Sequence, residues 1–248
     1  MKSTILFILL IPCFGQAQQS SYDYVSRYSY FLQLYCGDEM LVATGFIMNK
    51  NKKNYLVSNY HILAGKDAIT GEMTDSIKRR PDSVGIGIHK SNFVIFKKYA
   101  LYKNSKPIYK TIEDGKIDIA ILPIDITGDT ASGIFSFNRL DLDTSVSHNN
   151  GDSILVIGHS EECYLETQGT VPCTYPAIVQ PCQEQSGDFG CMCYRVSIKK
   201  GASGSPVLQF DRQTNKVKLI GIHSRGSGYY KRGSAVLAKY INILLKAF

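Results

Sequence analysis

Apolar residues along this chain fall in short runs and alternations of two, with little helical spacing. Phe31-Leu32-Gln33-Leu34-Tyr35 is a β-prone run with one polar break. Leu41 to Met48 and Tyr55 to Ser58 flank the turn-like Asn49-Lys50-Asn51-Lys52-Lys53-Asn54, and this pattern predicts a hairpin. Further strands are predicted at Ser83 to His89, Phe93 to Phe96, Ile117 to Leu122, Ser153 to Ile157, Arg195 to Ile198, Pro206 to Phe210 and Val217 to His223. Many short strands separated by polar turns argue for an all-β sandwich or barrel.

Two segments break that pattern. Ile62-Leu63-Ala64 begins a single helical turn, and Val236 to Leu245 sets Val236, Tyr240, Ile243 and Leu244 near one face at helical spacing. The polar stretch from Asp125 to Ser132 is the natural joint between two halves. The expected architecture is two β-barrels joined near residue 130, residues 18–130 and 131–248, with a closing C-terminal helix.

The first 17 residues stand apart from this fold. Lys2 precedes the apolar Ile5 to Ile11, and Gly15-Gln16-Ala17 offers small residues for cleavage, as in a secretory signal peptide. The apolar run is far shorter than the roughly 20 residues of a spanning helix. A lipid attachment at Cys13 is disfavoured by Pro12 directly before it. The expectation is an exported chain, secreted or periplasmic, with no membrane span.

Charge adds little: a formal +7 at pH 7, with Lys and Arg spread along the chain, is weak evidence for a nucleic-acid partner, and none is expected. Cysteine adds more. Beyond Cys13 there are Cys36, Cys163, Cys173, Cys182, Cys191 and Cys193, an even set that suggests disulfides in an exported protein, with pairing left open. Zinc is the weaker reading, because Cys191-Met192-Cys193 has one intervening residue where a structural ligand pair has two to four. The tyrosines and phenylalanines read as barrel packing, and His89, His148 and His159 as surface or strand residues.

The chemistry sits in three places. Gly201-Ala202-Ser203-Gly204-Ser205-Pro206 puts a serine between small residues; Ser58-Asn59-Tyr60-His61 ends an apolar run on histidine; Asp118-Ile119-Ala120-Ile121-Leu122 starts one on aspartate. A serine hydroxyl is a poor nucleophile at neutral pH and needs a base, and the base needs a carboxylate to fix its tautomer. Glycines beside the serine let backbone N–H groups face a developing oxyanion. Asp125 and Ser205 are rivals for Asp118 and Ser203. Asp125 lies beyond Pro123 at the edge of the joint, and Ser205 lies outside the Ala202–Gly204 turn.

These three blocks, in the order His, Asp, Ser, resemble the catalytic blocks of the chymotrypsin-like serine proteases, with 57 residues from His61 to Asp118 and 85 from Asp118 to Ser203. The resemblance runs from about Thr44 to the end. It implies two antiparallel six-stranded barrels with the site between them. It also implies Ser203 as nucleophile, His61 as base, Asp118 as its orienting carboxylate, and the Gly201 and Ser203 amides as the oxyanion hole. Ala202 stands where many animal enzymes of the family carry an aspartate that pairs with a newly cut N-terminus, so the site is expected to assemble without internal cleavage. Leu219-Ile220-Gly221-Ile222-His223-Ser224-Arg225-Gly226 resembles the strand walling the specificity pocket. With Gly201 to Pro206, Gly221-Ile222-His223 is similar to the bacterial glutamyl endopeptidases, in which such a histidine meets the substrate carboxylate. The implied substrate-binding residues are His223, Ser224, Arg225 and Gly226, with Lys199, Lys200 and Arg225 adding positive potential. Ile198 departs from that pattern, standing where those enzymes carry a hydroxyl residue. The reading is a serine endopeptidase acting on protein or peptide, without cofactor or metal, of unspecified oligomeric state. The different-class alternative is a catalytically silent protease-like domain that binds protein partners in the same cleft.

Overall fold

Among the described residues the strand pattern resolves into an eight-stranded sheet, a closed barrel and a two-stranded ribbon, with short α-helices. The computed structural model describes residues 24–74, 79–90, 93–126, 134–144, 148–167, 171–182, 191–211, 216–227 and 231–248. The expected signal peptide, and the joint beyond residue 126, lie outside the described residues.

The first sheet starts with β1 (Ser29–Cys36), β2 (Glu39–Lys50) and β3 (Lys53–Ser58), paired antiparallel in chain order. The β2–β3 turn is tighter than the sequence suggested. Asn49, Lys50, Lys53 and Asn54 all pair, leaving Asn51 and Lys52 as a two-residue turn with φ of 52° and 64°. Positive φ at both central residues matches the right-handed twist of the flanking strands. With β4 (Ser83–Lys90), β5 (Phe93–Ala100), β8 (Lys110–Ile112) and β9 (Ile117–Ile124), the path runs β5-β4-β1-β2-β3-β9-β8. The strands β6 (Tyr102–Lys103) and β7 (Lys106–Pro107) form a separate small ribbon, and β10 (Phe137–Asn138) adds in parallel to β2. With β10 this sheet has eight strands, and the six-stranded barrel expected of the first half is not clearly shown. Among the described residues no ladder joins its ends.

The second half does close. The strands β11 (Ser153–Gly158), β12 (Cys173–Gln180), β13 (Cys191–Arg195), β14 (Pro206–Asp211), β15 (Lys216–Ser227) and β16 (Arg232–Leu237) form a six-stranded barrel in the order β11-β12-β13-β16-β15-β14. The strand expected at Arg195 to Ile198 lies earlier, in β13. Val196 and Ile198 are buried and Arg195 and Ser197 exposed, as the alternation predicts, but the ladder ends at Arg195. Disulfides Cys163–Cys173 and Cys182–Cys193 staple the connections around β12. The first ties α2 (Glu161–Thr167) to the start of β12.

Burial follows the pleat. In β9, Ala120 and Leu122 face the interior of the first sheet, while Ile119 and Ile121 face a layer shared with the second half. In β11, Ile154 and Val156 fill the second barrel, while Leu155 and Ile157 face the shared layer. Strands covered on both sides read as continuous apolar runs, which is why these two stand out in the sequence. The C-terminal helix α3 (Lys239–Lys246) closes the shared layer with Ile241, Leu244 and Leu245. Its face differs from the expected one: Ile243 is exposed, and Val236 belongs to β16, where it pairs with Ile222. Among the described residues no helix is long and apolar enough to cross a membrane.

Candidate active site

The helix α1 (Tyr60–Ala64) starts just after β3, so His61 lies in its first turn, with Leu63 and Ala64 packed into the interior of the first sheet. Its N-cap residue, Asn59, donates its side-chain amide to the Asp118 carbonyl at 2.9 Å instead of capping the helix. Two further bonds lock the same pair of segments. The His61 backbone N–H donates to Asp118 Oδ1 at 3.0 Å, and His61 Nδ1 meets Asp118 Oδ2 at 2.8 Å. Asp118 is only 7% exposed. Burial alone would raise its pKa, but the His61 charge, the His61 bonds and the Ser224 hydroxyl outweigh that and hold it below the usual carboxylate range. An ionised carboxylate accepts only, so Nδ1 carries a proton and, when the ring is neutral, Nε2 keeps its lone pair.

A β-bulge supplies the Ser224 hydroxyl. In the β15–β16 ladder His223 pairs with Ala235 and Arg225 with Ser234, so Ser224 is an extra residue. Bulges re-aim side chains beside active sites. Here Ser224 Oγ donates to Asp118 Oδ2 at 2.5 Å, and its carbonyl accepts from Ser203 Oγ at 3.2 Å. Among the described residues no hydrogen bond joins Ser203 to His61. Such bonds often tighten only with substrate bound.

The loop carrying Ser203 is pinned by a residue that the sequence reading did not single out. Thr44 on β2 donates its backbone N–H to the Ser203 carbonyl at 3.0 Å and its hydroxyl to the Gly201 carbonyl at 3.1 Å. The Thr44 hydroxyl accepts from the His159 N–H at 2.8 Å, and its carbonyl accepts from Ser58 Oγ at 2.9 Å. One buried threonine thus ties both halves to the Gly201–Ser203 turn. Gly201 has φ +94°, and among the described residues neither its amide nor that of Ser203 donates to a backbone carbonyl.

A cleft of about 670 Å³ opens between the halves over His61, Gly201, Ser203, His223, Arg225 and Gly226. A larger depression of about 1070 Å³, at Val25, Leu155, Arg195 and Phe210, holds none of these. His223 is 2% exposed, and its Nδ1 lies 2.5 Å from the Tyr194 hydroxyl, a partner without any sequence signal. A Cβ on Gly226 would lie 2.8 Å from Ile198 Cγ2 and 3.4 Å from His223 Nε2, so these three form one wall. Of the hydroxyl residues near Ile198, Ser224 donates to Asp118, and Ser197 is exposed and lines the other depression. Arg225 is also changed from expectation, because its guanidinium is paired with Asp67 at 2.7 Å.

Burial pushes both His159 and His223 down to about pH 3; the His61 charge adds to this for His223, and Asp118 opposes it. An unfolded histidine titrates near ~6.5. Between these values the unfolded chain binds protons that the native state refuses, so stability falls as pH drops from about 6.5 toward 3, by about 1.4 kcal/mol per pH unit for each group. Denaturant midpoints at pH 7.5, 6 and 5 check this. His159→Phe is expected to remove one proton from the slope, and a flat profile would refute the assignment.

Three comparisons set this geometry among known proteins. The Rv3671c protease of M. tuberculosis in its active form superposes with a TM-score of 0.57 at 15% identity, covering 99% of this chain and 93% of that one. Deg5 gives 0.59 at 15% identity, covering 96% and 94%. Tobacco etch virus protease complexed with product gives 0.54 at 12% identity, covering 91% and 80%. A search of curated protein sequences returns no match. The fold is that of the serine peptidases, and this chain is a serine peptidase. The family model of the trypsin-like peptidase domain matches residues 43–222, and the chain belongs to that family.

Proposed function

We propose that the protein is an exported endopeptidase that cleaves peptide bonds through an acyl-enzyme. The observation that carries this is the hydrogen-bonded chain Ser224–Asp118–His61, with Ser203 on the same cleft wall. Substrate binding turns Ser203 Oγ from the Ser224 carbonyl toward His61 Nε2. As Oγ attacks the carbonyl carbon, Nε2 takes its proton, and the Gly201 and Ser203 amides take the negative charge on the carbonyl oxygen. One such donor is worth about 2.7–4 kcal/mol. The C–N bond then breaks, His61 returns the proton to the leaving amine, and water repeats the sequence on the ester. The pinning of Gly201 and Ser203 by Thr44 supports a site assembled without internal cleavage. Two disulfides support passage through an oxidising compartment. The division at residues 18–130 and 131–248 belongs to the same reading.

The residue before the cut is proposed to be Glu or its neutral counterpart Gln, and the surroundings of His223 favour Gln. His223 is buried and neutral, and in the reading proposed here the Tyr194 hydroxyl gives its proton to Nδ1 at 2.5 Å in preference to the Ser234 carbonyl at 3.4 Å, so that His223 presents Nε2–H as a donor. A carboxamide oxygen accepts that bond with no buried charge, whereas a carboxylate brings one. Peptides differing only at this residue test the reading. We expect Gln to exceed Glu at pH 8, with the gap narrowing toward pH 5 as Glu becomes neutral. Tyr194→Phe is expected to lower cleavage after Gln by about tenfold, the cost of one buried hydrogen bond. A tenfold preference for Glu at pH 8 would restore the carboxylate reading. No gain of either over Ala would remove both.

A further inference from the structure

Asp67 and Arg225 face one another across the cleft, one from each half. Asp67 is held by an Asx turn: Oδ1 accepts from the Ile69 and Thr70 N–H groups at 2.8 and 2.9 Å, and Oδ2 is aimed at Arg225 Nη2. Its loop is closed by Asp67 N–H to the Glu72 carbonyl at 2.7 Å and by Thr74 N–H to the Gly65 carbonyl at 3.1 Å. Burial would raise the Asp67 pKa, but these backbone bonds and the Arg225 charge hold it below the usual carboxylate range, so the pair is ionised at neutral pH. Both side chains keep contact with solvent, at 40% exposure for Arg225 and 26% for Asp67, and both line the cleft.

Strand pairing shows what meets this pair. The β14–β15 ladder ends at Pro206–Ile222, while β16 covers the other edge of β15 through Ser227. Among the described residues the cleft edge of Ser224 to Gly226 therefore has no strand partner, and an extended substrate can add there as a strand. The residue before the cut then enters the wall of Ile198, His223 and Gly226. Because side chains alternate across a strand, the next residue upstream points the other way, toward Arg225 and the Asp67 loop. A guanidinium has five N–H donors, and Asp67 takes one here.

Resting on the endopeptidase reading above, we propose that Arg225 selects the side chain of the second residue upstream of the cut, and that Asp67 sets the charge it accepts. A neutral acceptor, an amide or a hydroxyl, shares the remaining donors. A carboxylate meets Asp67 as a like charge at close range and is disfavoured, although it faces an arginine.

The test is kcat/KM for three peptides identical except for Asn, Asp or Ala at that position, measured for the wild type, Asp67→Asn and Arg225→Gln. In the wild type Asn exceeds both Asp and Ala several-fold. In Asp67→Asn the Asn:Asp ratio falls by about tenfold, a difference of about 1.4 kcal/mol. In Arg225→Gln the three peptides come within about twofold of each other. If either variant unfolds, raising the salt from 50 mM to 500 mM on wild type replaces it, because screening must narrow the Asn:Asp gap. A pair that merely braces the halves moves the melting temperature and leaves these ratios alone, and unchanged ratios overturn the proposal. Wild-type hydrolysis of a single-residue amide that lacks the second residue monitors the chemistry separately. Failure there, with Ser203→Ala indistinguishable from wild type, would count against the endopeptidase reading instead.

Discussion

Ser203→Ala is expected to lower kcat for peptide hydrolysis by roughly 10⁵–10⁶-fold while leaving the melting temperature within a degree or two. The size follows from how the site is divided. Without Oγ no acyl-enzyme forms, and His61 has no proton to take. The surviving amides and cleft still support slow attack by water, which leaves the usual residual rate. The fold should not notice, because among the described residues Ser203 makes one side-chain bond, to the Ser224 carbonyl. The loop is held through its backbone by Thr44. Single-turnover kinetics on the best peptide, with a thermal melt beside it, check both halves of the statement. A variant retaining even a hundredth of the wild-type kcat would place the nucleophile elsewhere, with Ser205 next in line. Ser205 starts poorly, being fully buried with its hydroxyl donating to the Ala202 carbonyl at 2.5 Å.

Gly204→Ala is expected to be severely damaging. Gly204 has φ +91°, which costs an L-residue about 1–2 kcal/mol on its own. Its Cβ would also be driven into the Thr44 carbonyl oxygen, with Ser58 Oγ at 2.5 Å behind it. Neither neighbour can retreat cheaply, because Thr44 and Ser58 are hydrogen-bonded to each other beneath the turn. The combined loss is about 4 kcal/mol or more, which lowers the melting temperature of a chain of this size by roughly 10 °C, with activity lost as well. Gly151→Ala is the control. Its φ is +90°, yet nothing lies within 4 Å of the added carbon, so only the backbone term applies. Equal melting temperatures for the two variants would show that the crowding at Thr44 is not what makes Gly204 necessary.

Most strands were legible in the sequence because they are buried on two faces or alternate strictly, and both patterns are local. Ile119 to Leu122 and Ile154 to Ile157 are of the first kind. Where the reading slipped, the alternation was right and the ladder was not. Val196 and Ile198 point inward as expected, but only Arg195 has a strand partner. Val236 has helical spacing to Tyr240, yet it pairs with Ile222. A period says which side a residue faces and not which backbone it bonds. Closure of the first half is a property of this second kind.

The blocks around His61, Asp118 and Ser203 were legible because each couples a reactive side chain to local punctuation: an apolar run ending, an apolar run starting, a glycine-flanked turn. Thr44, Tyr194 and Asp67 carry no such mark. Thr44 acts on Gly201 across 157 residues, Tyr194 on His223 across 29, and Asp67 on Arg225 across 158. By itself the sequence determined the strand-rich class, the order of the His61, Asp118 and Ser203 blocks and the crowding of five cysteines from Cys163 to Cys193, since these depend on side-chain chemistry and near neighbours. Only the tertiary structure decided which disulfides form and that the Ser224 hydroxyl belongs to Asp118. It alone showed that His223 is neutral against Tyr194 and that Arg225 is already paired. Burial and long-range contact set those charges and partners, and neither exists until the two halves have packed.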